Sequence, residues 1–157
     1  MTIRRLLPPA ALLAAVALIG AGCGSSDEPS ADDAQSAYQS VRAQIAGLGD
    51  SIGPAITGAG SETDAQLSRA FAQLQARGQA AVERLQGLEV PDELKEKREA
   101  LGDALDRGTA DLADIARAAR DSDAAAARAA VEDLIADSQE IRDARAEFER
   151  ALNDAAK

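Results

Sequence analysis

The chain has 157 residues, with 17 basic against 27 acidic side chains, no histidine and no tryptophan. A net charge of −10 excludes the basic footprint of a nucleic-acid-binding protein. Without histidine, the Glu-x-x-His di-iron site of helical bundles and the Ser-His and Cys-His nucleophiles are excluded in their usual forms. A single cysteine excludes an internal disulfide and, with no histidine, the usual zinc ligand sets. No cofactor is expected.

In chain order, the first element is an address label. Arg4 and Arg5 give a positive start, residues 10–19 are apolar, and the small residues Gly20, Ala21 and Gly22 lead into Cys23. Such a pattern marks a secretory signal and not a folded element. Pro8 and Pro9 in front and Gly20, Gly22 and Gly24 behind leave roughly 10–14 usable apolar positions, whereas a spanning helix needs about 20. The Arg4-Arg5 pair lacks the full twin-arginine pattern, so an ordinary secretion route is the better reading.

Ala21-Gly22-Cys23 and the polar Gly24-Ser25-Ser26-Asp27 after it resemble the lipobox of bacterial lipoproteins. The pattern departs from that family at Gly20, where leucine is usual. The resemblance implies that residues 1–22 are a lipoprotein signal peptide and that Cys23 is lipidated and becomes the mature N-terminus. The alternative is an ordinary thiol at Cys23. Two or more acyl chains make a stable anchor, so the resemblance further implies attachment to the outward-facing side of the bacterial cell membrane or envelope. Removing residues 1–22 takes away two basic residues and no acidic one. The mature surface is then more acidic still, which favours solubility.

Residues 23–33 read as the lipidated N-terminus and a flexible tether of small and acidic residues, and residues 34–157 as one helical domain. Ala34, Tyr38, Val41, Ile45 and Leu48 share one face of a first helix. Gly47, Gly49 and Gly53-Pro54 are expected to end it, and residues 53–60 to form the longest irregular connection. Ser61 is the expected cap of a second helix, with Asp64 in the capping-box position. Its seam runs Leu67, Phe71, Leu74, Gly78, Ala81, Leu85, Leu88, and Val90-Pro91 is expected to stop it. A third helix opening at Pro91 repeats the rhythm through Leu94, Leu101, Leu105, Gly108, Leu112, Ile115 and Ala119. After Asp121-Ser122-Asp123, which offers a cap, a fourth carries Ala127, Val131, Leu134, Ser138, Ile141, Phe148 and Leu152.

The predicted fold is therefore all-α. It is an antiparallel bundle of three long helices with left-handed, coiled-coil-like packing, to which a shorter first helix adds alongside or across one end. Asp121, Asp123 and Glu132 fall on three positions of a calcium-loop template, but alanines occupy its fifth and sixth positions. Capping and helix surface explain these residues better, and no metal site is expected.

Two features bear on function. Gly78 and Gly108 lie on seams inside helices, where glycine costs about 1 kcal/mol relative to alanine. Close helix approach is the favoured explanation and a ligand groove the alternative. Tyr38, Val41 and Ile45 form the candidate partner face on the first helix. The leading expectation is a membrane-anchored, non-enzymatic cell-envelope lipoprotein that binds an envelope protein or organises the envelope. The alternative is a carrier for lipid or another hydrophobic ligand, with a cavity expected near Gly78 and Gly108. Partner identity and oligomeric state are not legible in the chain.

Overall fold

Ser30 opens the first helix: its hydroxyl accepts from the Asp33 amide at 3.2 Å, and Asp32 and Asp33 stand in the positive first turn. In a computed structural model that describes residues 29–157, four helices follow one another. They are α1 (Ala31–Gly58), α2 (Asp64–Gln86), α3 (Asp92–Arg120) and α4 (Ala124–Ala155), with one 3-10 turn, Ala59–Ser61, between the first two. The expected signal and Cys23 lie outside the described residues. The last three residues assigned to the tether are the first turn of α1.

All four helices are substantial, at 28, 23, 29 and 32 residues. The expectation of a shorter first helix is thus corrected, because α1 exceeds α2 and runs straight through residues 53–58. Propensity alone would stop it there, but propensity yields to packing. Ile52, Ala55 and Ile56 pack against a buried cluster that includes Phe71, Leu112, Ile115 and Leu134. Pro54 leaves the Asp50 carbonyl without its usual partner, yet Asp50, Gly53 and Pro54 are all exposed, so water can satisfy it. On the opposite flank Arg77 of α2 ties down α1, its Nη1 donating to Ser51 Oγ and its Nη2 to the Gly47 carbonyl, both at 3.0 Å.

Three further boundaries differ from expectation. The cap of α2 is Thr63 rather than Ser61. Thr63 and Gln66 form a reciprocal capping box, which glutamine completes and Asp64 is too short to complete. That helix ends at Gly87, ahead of Val90-Pro91. The chain then crosses the end of the bundle with Leu88 and Val90 buried, and Arg98 donates to the Leu88 carbonyl at 2.8 Å. Pro91 is the N-cap of α3 rather than its first residue. Before α4, Asp123 caps as expected, accepting from the Ala125 and Ala126 amides at 3.1 and 3.0 Å. Ser122 adopts φ 55°, and its hydroxyl donates to Asp64 Oδ2 at 2.6 Å across the top of the bundle.

Neighbouring helices run antiparallel, as the cross-links show: Lys97 pairs with Glu147 at 2.9 Å, and Arg107 lies further along α3 against Asp137 and Glu140. Helix α3 is the hub, packing extensively on both α2 and α4. It therefore buries Gly102, Ala104, Ala116 and Ala118 beside its expected leucines, small residues that let two neighbours approach one helix. α1 packs alongside α2 and, more lightly, α4, not across the end. The interior divides into a lower cluster around Tyr38, Leu85, Leu101 and Phe148 and an upper one around Phe71, Leu112 and Leu134. Between them lie Gly78, Gly108 and Thr109.

Candidate functional site

The candidate partner face is core. Tyr38, Val41 and Ile45 are only 2%, 2% and 5% exposed, so no free apolar stripe runs along α1 at this level. The amphipathic period that singled them out is the period any core-facing helix shows. Tyr38 stacks edge-on against Phe148, with ring centroids 5.0 Å apart and planes at 83°. Its hydroxyl donates to Glu149 Oε1 at 3.4 Å. Burial first, and the Glu149 carboxylate second, hold that hydroxyl well above the ordinary tyrosine range.

Gly78 and Gly108 are both buried but do not face one another. A methyl group at Gly78 would stand 2.5 Å from Thr109 Oγ1 on α3, and one at Gly108 would stand 2.9 Å from Ile141 Cδ1 on α4. They are points of close approach between successive helix pairs. Neither glycine lines the recesses along α1, and the side chains of Thr109 and Ile141 occupy the space beside them.

Recesses lie elsewhere: a broad one of about 610 Å³ between α1 and α2, bordered by Ala43, Gly47, Arg77, Ala80 and Arg84, and two others along the seam between α1 and α4. This seam is tied at its lower end only. Gln35 donates to Asn153 at 2.7 Å, Tyr38 to Glu149, and Arg42 Nε lies 3.2 Å from Glu149 Oε1. Among the described residues no side-chain hydrogen bond or ion pair joins the two helices beyond Arg42. There a central cleft of about 360 Å³ opens between Ile45, Leu48 and Ile52 of α1 and Ser138, Ile141, Arg142 and Arg145 of α4, with Leu105 at its floor. An upper cleft of about 230 Å³ is lined by Ile56, Leu67, Phe71, Ile115 and Val131, with Arg128 as its one charged residue. Sequence reasoning missed both clefts. The available signal is a second stripe on α4, Arg128, Val131, Ile135, Ser138, Arg142 and Arg145, spaced by threes and fours beside the core stripe. Ile135 in it is 61% exposed.

A second feature not foreseen is a carboxylate group on the α3–α4 face. Asp111 Oδ2 is buried without a hydrogen-bond partner. Burial, then the negative charges of Asp137 and Asp133 and a side-chain hydrogen bond with Asp137, raise the Asp111 carboxyl to about 6, against a smaller opposing effect of Arg107. Arg107 Nε lies 3.8 Å from Asp137, so the cation is shared. No group of three or more potential ligands able to hold a metal ion occurs among the described residues.

The pH consequence has a definite sign. A folded-state pKa above the unfolded value means the native state holds this proton more tightly. The contribution is complete below about pH 4 and is lost as pH rises through 6. Between pH 5 and 7.5 the chain is expected to lose about 1 kcal/mol of unfolding free energy, discounted for the partial exposure of the group. Urea unfolding at the two pH values measures it. Asp111→Asn should flatten the dependence, and an unchanged slope in that variant would assign the titration elsewhere.

No helix among the described residues is long and apolar enough to cross a membrane. Comparison of the chain with family models, with curated proteins and with solved structures finds no match.

Proposed function

We propose that this chain is a membrane-anchored, non-enzymatic lipoprotein of the bacterial cell envelope, exported and held at an outward-facing membrane surface by acyl groups on Cys23. The bundle would serve protein interaction or envelope organisation. The observation that carries this reading is the position of Cys23: a signal-sized apolar run precedes it, and the first turn of a folded helix begins at Ala31. Seven residues, 24–30, separate the two and reach at most about 25 Å. On this reading the lower end of the bundle, with Gln35, Asn153 and the α2–α3 connection, stays close to the lipid headgroups, and the α1–α2 and α3–α4 connections point away. The seven-residue rhythm of the seams supports left-handed, coiled-coil-like packing within the bundle.

The test is metabolic labelling with palmitate, followed by mass spectrometry of the N-terminal peptide. Label on Cys23, with Cys23→Ser moving the protein from the membrane to the soluble fraction, is the expected outcome. Unlabelled protein, or a Cys23→Ser variant that stays with the membrane, would remove the anchor from the proposal. A second reading, a carrier of hydrophobic ligands, is favoured by one observation: the apolar clefts along the α1–α4 seam.

A further inference from the structure

The clefts and their rim identify a ligand class. An apolar recess of about 360 Å³ falls in the size range of small-molecule sites, and its neighbour of about 230 Å³ continues the same seam. Together they reach from Ile45 to Ile56 of α1, roughly 17 Å of helix. A path of that length suits an extended chain.

The rim carries two arginines and one carboxylate, Asp50. Arg142 and Arg145 stand one turn apart on α4 at the mouth of the central cleft. Among the described residues Arg142 has no carboxylate partner, and its Nη2 donates instead to the Gln139 amide oxygen. Arg145 lies 3.8 Å from Glu149, whose carboxylate is already engaged by Arg42 at 3.2 Å and by the Tyr38 hydroxyl. Asp50 on the α1 side is exposed and pairs with neither arginine. In a strongly acidic protein, these two guanidinium groups beside an apolar recess are complementary to an anionic head on an apolar tail.

The wall opposite the arginines is tied to α2 by Arg77, through Ser51 and the Gly47 carbonyl. The upper half of α1 carries Gly47, Gly49, Gly53 and Pro54, all poor helix formers, and no polar link holds it to α4. α1 meets α4 more lightly than α3 meets either neighbour, so this seam is the one that opens most readily.

We propose that the α1–α4 seam is a binding site for one long-chain fatty acid, its tail lying along the seam between Ile45, Ile52 and Ile141 toward Val131, and its carboxylate held by Arg142 and Arg145. This rests on the carrier reading above and is independent of the anchor at Cys23. The experiment uses the full chain carrying Cys23→Ser, so that no covalent acyl group competes, titrated with sodium palmitate and, separately, with hexadecanol. Palmitate is expected to bind at one per chain and at least about tenfold more tightly than hexadecanol. Arg142→Ala with Arg145→Ala should remove that preference without lowering the thermal midpoint. Ser138→Trp, which fills the central cleft, should abolish binding of both, while Arg69→Ala on the far side of the molecule should change nothing. Hexadecanol binding as tight as palmitate, indifferent to the arginine pair, would overturn the proposal and leave the carrier reading standing. Binding of neither compound would overturn both. A dimer in sedimentation equilibrium that binds no palmitate would give the seam to a second copy of the chain, and would overturn the proposal as well.

Discussion

Phe148→Ala is expected to lower the unfolding free energy by about 3–5 kcal/mol, a large share of the 5–15 kcal/mol typical of a domain. Phe148 is fully buried, in the lower cluster with Tyr38, Leu101 and Leu105. Its ring is the surface on which α1 docks, through the edge-on contact with Tyr38 at 5.0 Å. The polar ties between α1 and α4, from Gln35, Tyr38 and Arg42, all cluster at this level. The hole left by alanine cannot close readily, because α2 and α4 are each fixed by their own packing on α3. Urea denaturation followed by circular dichroism gives the number, and Ile135→Ala is the internal control. At 61% exposure, Ile135 should cost no more than about 0.5 kcal/mol. A loss below about 1 kcal/mol for Phe148→Ala would mean that α1 does not dock on this ring.

Much of the bundle is legible in the chain, because helix seams are a property of spacing. Phe71, Leu74, Leu85, Leu101, Leu112, Leu134 and Leu152 all fall where the three-and-four rhythm puts them, and all are buried. Legibility fails where local preference and tertiary packing oppose one another. Gly53-Pro54 reads as a break, yet Ile52 and Ile56 on either side are paired with the upper cluster and carry the helix through. The same rhythm cannot say whether an apolar face meets the core or a partner. Tyr38, Val41 and Ile45 look identical in either case, and only the position of α1 against α2 and α4 decides between them. The clefts were half legible for a related reason: the second stripe on α4 marks one wall, but how lightly α1 meets that wall is set by packing and not by α4 itself. Asp111 became distinctive only when Asp137 and Asp133, more than twenty residues away, came to face it.

The seam glycines carry the last expectation, and they should behave in opposite ways. Alanine in place of glycine inside a helix gains about 1 kcal/mol from propensity alone. At Gly78 that gain is outweighed: the added methyl would lie 2.5 Å from Thr109 Oγ1, 3.3 Å from its Cγ2 and 3.4 Å from its Cβ. Thr109 is buried, and its branched side chain stands directly on the α3 backbone, so turning it exchanges one clash for another. Overpacking of this kind costs about 1–3 kcal/mol, and Gly78→Ala is expected to be destabilised by up to about 2 kcal/mol net. At Gly108 the nearest atom is Ile141 Cδ1 at 2.9 Å, the free end of a side chain that borders the central cleft and has room to swing. Gly108→Ala should therefore be neutral or stabilising by up to about 1 kcal/mol. The decisive measurement is the double-mutant cycle of Gly78→Ala with Thr109→Ala. Deleting Oγ1 and Cγ2 leaves only the Cβ contact at 3.4 Å, so the pair should be more stable than the sum of its single changes by at least about 1 kcal/mol. An additive result would place the close approach of α2 and α3 somewhere other than at Gly78 and Thr109.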